Sequence, residues 1–182
     1  MRHKKTGITY QWPTTEMIDH IRSLGCNVVP VGFQPPRKDH PNKDQSIEWE
    51  ILFTKAEQYI CRNLHHPKVR VYMFSLLMLK CFFASSDPNV TLIRYNNYSW
   101  ILSINNINLR EKHIRHTLFR MIENTPVDWT EENIGEKFLD LWDIMLKRLE
   151  KQSLPNFFMK NSNMFATISN HRLRFVRTNN HH

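Results

Sequence analysis

The sequence predicts a mainly α fold: a helical bundle with one short extended segment between Cys26 and Phe33. Two observations carry most of this. Apolar residues recur every three or four positions in four separate stretches, the spacing that lines one face of a helix, and a fifth is apolar on nearly every side. Clustered β-branched residues bounded by glycine and proline occur at CNVVPVGF, too little for a sheet of its own. No internal repeat or low-complexity tract interrupts the pattern, so a packed bundle is the architecture expected.

Taken in order, Pro13-Thr14-Thr15 supplies a helix start, Met17, Ile18, Ile21 and Leu24 form one apolar face, and Gly25 occupies the C-cap position. Pro30 keeps the following extended piece off a central sheet position. Residues 34–46 pack three prolines among polar side chains and read as a surface loop or hinge. Trp49, Leu52, Phe53, Ala56, Ile60 and Leu64 then predict a core-facing helix of about four turns. Pro67 opens a further helix over residues 68–84, so apolar on all sides that it is expected at the centre of the bundle. Residues 85–89 end it, and 95–108 give no clean period. A helix over 109–123 follows, with Ile114, Leu118, Met121 and Ile122 on one face and Pro126 beyond its end. Asp128-Trp129-Thr130-Glu131 resembles a capping box that leads into Ile134, Phe138, Leu141, Trp142, Met145 and Leu149, with Asp143 and Lys147 an i,i+4 ion pair. Residues 154–158 and 163–165 are aromatic plugs on irregular backbone. The domain reading is a basic lead at 1–11, one helical lobe at 12–168, and a basic tail at 169–182 without fixed structure.

The 182 residues suit one domain, and 41% hydrophobic residues are ample for a core. A formal charge of +8 biases the surface toward polyanions and acidic partners. The four glycines are too dispersed for a phosphate cradle, a dinucleotide fingerprint or a nucleophile elbow. Three cysteines without a CxxC pair point to a reducing compartment, hence a cytoplasmic or nuclear location. The longest apolar run, 71–79, is about half of the ~20 residues that span a bilayer, so no membrane span is expected.

Candidate sites are sparse. No Asp-x-Asp pair exists to hold two metal ions, and His65, His66 and Cys61 lack a visible fourth ligand for zinc, so no metal site is predicted. Lys80 lies in the most apolar helix, where its ammonium must snorkel to water, pair, or meet an anion. From Lys147 onward seven basic residues face one acid, Glu150. Of these Lys147, Arg148, Lys151, Lys160, Arg172 and Arg174 are candidates for gripping nucleic-acid phosphates; a solvated basic tail has the same composition.

Several pieces resemble one family in their order: Trp12-Pro13, Val28-Val29-Pro30, the run EWEILFTKAE from Glu48 to Glu57, Leu79-Lys80, DWTEENIG from Asp128 to Gly135, LPNFF from Leu154 to Phe158, and Asn163-Met164-Phe165. Together they are similar to the C-terminal half of the male-abnormal-21 proteins, the family of cyclic GMP-AMP synthase-like nucleotidyltransferases. The resemblance implies the helical, helix-hairpin-helix-like lobe of a two-lobe nucleotidyltransferase-like fold, without the catalytic lobe that precedes it. It implies that Lys80, Glu57 and Thr54 match positions facing a bound nucleotide triphosphate. It implies no catalytic residue and no cofactor in this lobe, with Mg or Mn needed only by an upstream catalytic lobe. Departures are plain: Leu52 and Glu50 replace a serine and an arginine, and Glu111 to His116 lacks a base-stacking tyrosine, with Arg94-Tyr95-Asn96 as the alternative match. The zinc insertion of the vertebrate sensor is reduced to His65-His66-Pro67.

Two functional readings follow. In the first the lobe contributes to nucleotide binding and to double-stranded nucleic-acid binding. In the second it is a non-catalytic interaction or scaffold module, a pseudoenzyme relative, or a gene-model fragment. The partner is accordingly a nucleotide and nucleic acid, an N-terminal catalytic lobe, or another protein.

Overall fold

The computed structural model describes residues 11–33, 47–83, 91–95, 98–102, 109–165 and 175–179, with side chains described at 11–30, 49–80 and 109–165. Helices dominate: α1 (Thr15–Leu24), α2 (Thr54–Arg62), α3 (His66–Phe83), α4 (Glu111–Asn124) and α5 (Ile134–Glu150). The described residues also hold the strands β1 (Asn27–Phe33), β2 (Ile47–Leu52), β3 (Thr91–Tyr95), β4 (Tyr98–Leu102) and β5 (Phe175–Asn179). The chain divides into two compact units, Pro13–Leu64 and the combination of Met1–Trp12 with His65–His182.

In the first unit, Thr14 caps α1 by accepting the Met17 N–H at 3.3 Å. Gly25 ends the helix with φ 65°, a conformation open to glycine at little cost. Helix α1 packs on α2, where His20 and Tyr59 rings stand 4.2 Å apart. The segment between Cys26 and Phe33 is not alone: β1 pairs antiparallel with β2, Val28 opposite Ile51 and Pro30 opposite Trp49, with an irregularity between Pro30 and Gly32. This corrects the helix expected to begin at Trp49. Residues 47–52 are a strand, and the helix starts at Thr54. Trp49 and Leu52 fall three apart by chance, whereas the ladder to β1 satisfies the backbone polar groups of both segments at once.

In the second unit α3 packs on both α4 and α5, and α4 packs on α5. The core is Val71 from α3, Ile114, Leu118, Phe119 and Ile122 from α4, Leu141, Met145 and Leu149 from α5, and Leu154 beyond it. Strands β3, β4 and β5 form an antiparallel sheet in that order. It draws β4 from the stretch 95–108 that showed no period, β3 from the residues leading into it, and β5 from the tail where no fixed structure was expected.

Helix α5 differs at its start. Asn133 is the N-cap without a side-chain cap bond, and its amide instead accepts the Thr130 N–H and donates to the Asp128 carbonyl. The expected capping box therefore does not cap. Asp143 and Lys147 pair at 2.6 Å as predicted. At its C-terminus Gln152 adopts φ 48° while the Gln152 and Ser153 N–H groups return to the Leu149 and Arg148 carbonyls, a Schellman closure built on a residue other than glycine.

The irregular residues 152–165 form a strap against α4. Asn163 Oδ1 accepts the N–H groups of Leu154 and Phe165, and its Nδ2 donates to the Gln152 carbonyl. Asn156 Oδ1 accepts from Phe158 and Met159. Arg120 reaches from α4 to the carbonyls of Asn156 and Phe157 at 2.9 and 3.3 Å, its guanidinium 5.1 Å from the Phe157 ring centroid. Trp12 joins the same cluster, 6.2 Å from Phe119 and 6.0 Å from Phe157.

Candidate interaction surface on α3

Residue spacing sets the two faces of α3. Lys68, Val71, Tyr72 and Ser75 stand at i, i+3, i+4 and i+7 and are buried. Arg70, Met73, Phe74, Leu77 and Lys80 make the opposite stripe and are exposed, with Met73 at 57%, Phe74 at 50% and Leu77 at 58% relative exposure. The helix expected at the centre is thus covered on one side only. A contiguous apolar stripe on a folded surface is the usual mark of a contact site, where isolated exposed hydrophobics are not.

Both ends of the stripe carry a cation. Arg70 Nη1 donates to Glu131 Oε2 at 2.8 Å, and His66 Nδ1 lies 2.9 Å from Glu131 Oε1. The residue expected to cap α5 instead ties the α4–α5 connection to the first turns of α3. At the other end Lys80 is exposed, and its charge helps hold the Glu111 carboxyl below the usual range, after the stronger hydrogen bond from Tyr72. Tyr72 donates to Glu111 at 2.7 Å and accepts from Arg115 Nε at 3.2 Å, and burial raises its phenol well above the ordinary tyrosine value.

Lys68, on the buried face, lies 6.0 and 5.9 Å from the ring centroids of Trp12 and Trp129. Desolvation lowers its pKa. Two indole faces thus stand in for water around a lysine that sequence periodicity did not single out. Its place in the i, i+3, i+4 pattern with Val71 and Tyr72 was the available signal.

The predicted site residues fall in different places. Thr54 begins α2 and is exposed; Glu57, half-buried, follows one turn later. Both belong to the first compact unit and Lys80 to the second. Among the basic candidates, Lys147 is engaged by Asp143, Arg148 is half-buried, and Lys151 and Lys160 are exposed. Arg172 and Arg174 lie outside the described residues. No group of three or more His, Cys, Asp or Glu side chains is placed to hold a metal among the described residues. No described helix is long and apolar enough to cross a membrane.

The first unit has an apolar face as well. Cross-strand partners point to one side of a ladder, so the pairs Val28–Ile51 and Pro30–Trp49 share a face, and all four residues are exposed.

Residues 93–180 match the family model described as the Mab-21 protein HhH/H2TH-like domain. A human protein named mitochondrial dynamics protein MID49 is 38% identical over 56 residues, 31% of this chain and 12% of that protein. The Xenopus laevis protein of the same name is 30% identical over 60 residues, 33% of this chain and 13% of that protein. The matches thus span about an eighth of these relatives. The quoted motifs from Asp128 to Phe165 fall inside the family match and those from Trp12 to Lys80 precede it. The α4–α5 pair, its connection and the strap all fall inside the stretch that is similar to the Mab-21 protein HhH/H2TH-like domain.

Proposed function

We propose that this lobe works as a non-catalytic protein-docking module, with the exposed stripe of α3 as its contact surface. The observation that carries the reading is the array of Arg70, Met73, Phe74, Leu77 and Lys80 at i, i+3, i+4, i+7 and i+10 opposite the buried face. Such spacing fits an amphipathic helix laid along it. Three apolar side chains expose at most a few hundred Å², short of the ~800 Å² per partner that a stable dimer buries, so a single helix fits better than a second copy. The exposed Lys80 at one end, on a chain of charge +8, favours a partner helix with an acidic flank. The relatives named for mitochondrial dynamics support a role outside nucleotidyl transfer. Incorporation of a photo-crosslinking phenylalanine at position 74 of the full chain in cells, followed by sequencing of the adduct, tests this. The adduct expected is an acidic amphipathic segment of another protein, lost in Leu77→Glu. Adducts with this chain itself, or equal yield from Leu77→Glu, overturn it.

A second reading rests on Lys80, which is exposed at the last turns of α3 and matches a nucleotide-facing position in the resemblance. There the lobe supplies Lys80 to a nucleotide triphosphate, and Glu57 and Thr54 match nucleotide-facing positions in the same resemblance. Calorimetric titration with ATP and GTP tests that reading. It requires binding that weakens at least about tenfold in Lys80→Ala, the loss of one charge-assisted contact. Double-stranded nucleic-acid binding through Lys147, Arg148, Lys151 and Lys160 belongs to the same reading and requires an affinity that falls steeply with salt.

A further inference from the structure

The stripe on α3 has unlike ends. Helix α4 runs back along α3, so its start lies near Lys80 and the α4–α5 connection lies near Arg70. At the Lys80 end, Tyr72 donates to Glu111 at 2.7 Å, Arg115 pairs with the same carboxylate, and the Lys80 charge reaches it too. Arg110 and Lys112 stand on either side of Glu111 in the chain. Lys80, Arg110, Lys112 and Arg115 thus gather around one carboxylate that is already bonded.

At the Arg70 end the connection carries Asp128, Glu131 and Glu132, all exposed. Glu131 takes up the Arg70 guanidinium at 2.8 Å and meets His66 at 2.9 Å. Lys68 adds no surface charge there, being 4% exposed and set against Trp12 and Trp129. The stripe's own cation is therefore neutralised, beside a connection whose charged residues are all acidic. From Arg70 to Lys80 the helix rises about 15 Å, farther than the ~8 Å over which physiological salt screens exposed charges. Each end acts on a ligand separately, and the stripe has an electrostatic direction as well as an apolar face.

Resting on the docking surface proposed above, we propose that the partner helix lies antiparallel to α3, with acidic residues in its first turn over Lys80 and a basic residue in its last turn against Glu131. The arrangement matches how helices are stabilised by charge, carboxylates in the first turn and cations in the last. It also sets the positive start of the partner's dipole beside the negative end of α3. The parallel orientation places the partner's carboxylates beside Glu131 and its cation beside Lys80, two like-charge juxtapositions in place of two opposite ones. Met73, Phe74 and Leu77 accept an apolar face in either orientation, so the charged ends select one. A second copy of α3 does not fit, because its first turn holds no acid.

The test places a photo-crosslinking phenylalanine at position 73 or position 77 of the full chain in cells and maps the partner residue that each captures. The two positions are one turn apart, so the residue captured from 77 should precede that captured from 73 by about four positions in the partner's sequence. The reverse order, or one residue captured from both, overturns antiparallel docking and leaves the docking surface standing. No adduct from either position, or adducts with this chain itself, overturn both. Charge variants read through position 74 supply the second arm. Lys80→Glu and Glu131→Gln should each lower the adduct yield by up to about fivefold, the size of an exposed ion pair. In Glu131→Gln the partner's basic turn loses its carboxylate and meets an unneutralised Arg70. An unchanged yield in either variant overturns the proposal, as does a higher yield in Glu131→Gln, the result expected of a partner with acid at that end.

Discussion

Helices α3 and α4 divide the labour of the second unit in opposite ways. From Val71 to Leu79 the α3 sequence is apolar but for Ser75, yet it leaves Met73, Phe74 and Leu77 in solvent. Helix α4 carries two histidines, a threonine and two arginines in fourteen residues, yet buries eight of them. The difference lies in what covers each. Helix α4 is packed by α3, by α5 and by the strap with Trp12. Its polar side chains are made compatible with burial because each finds a partner: Thr117 donates to the His113 carbonyl at 2.8 Å, and the two imidazoles accept backbone N–H groups. Helix α3 is covered on a single side. Hydrophobicity averaged over a helix therefore tells little about burial, and the second layer decides.

The contrast can be broken or sharpened by mutation. The largest effect should come from α4: Leu118→Ala, at a fully buried position, should cost about 2–5 kcal/mol in urea unfolding, through lost transfer energy and the cavity left behind. Acid should act next. The His113 pKa is lowered from 6.5 to about 4 in the folded chain, so the unfolded chain binds the proton more tightly. This stabilisation is complete above pH 6.5 and is lost as the pH falls toward 4, by about 3 kcal/mol, visible as a falling melting temperature that His113→Asn flattens. At the base of the strap, Gln152→Gly should raise stability by about 0.5–1 kcal/mol in denaturant titration, because glycine takes the left-handed conformation without the Cβ clash. Smallest of all, Leu77→Gln on α3 should shift the unfolding midpoint by less than about 0.5 kcal/mol, since that side chain is already in water. A loss comparable to that of Leu118→Ala would mean that the stripe is covered in the folded chain.

The same contrast explains what could be read in advance. Local chemistry was legible where it is self-contained: Thr14 and Gly25 bound α1, the Asp143–Lys147 pair forms, and Ile114, Leu118, Met121 and Ile122 line the buried face of α4. Short-range spacing misled where a non-local partner intervened. Trp49 and Leu52 fit a helical period, but β1 offered their backbone a ladder. Glu131 stood where a capping acid should be, but His66 and Arg70, more than sixty residues earlier, hold it instead. Lys80 was singled out because its helix looked buried; the structure places it in solvent, at the end of the exposed stripe.

By itself the sequence determined the helical class, the positions of the core residues on α4 and α5, and the aromatic plugs that fill the end of the bundle. Tertiary structure decided which side of α3 is hidden, which segment pairs with β1, and how His113 and His116 are used. The physical reason is common to all three. Periodicity records the faces a segment has, whereas burial and hydrogen bonding depend on which distant segment arrives to cover them.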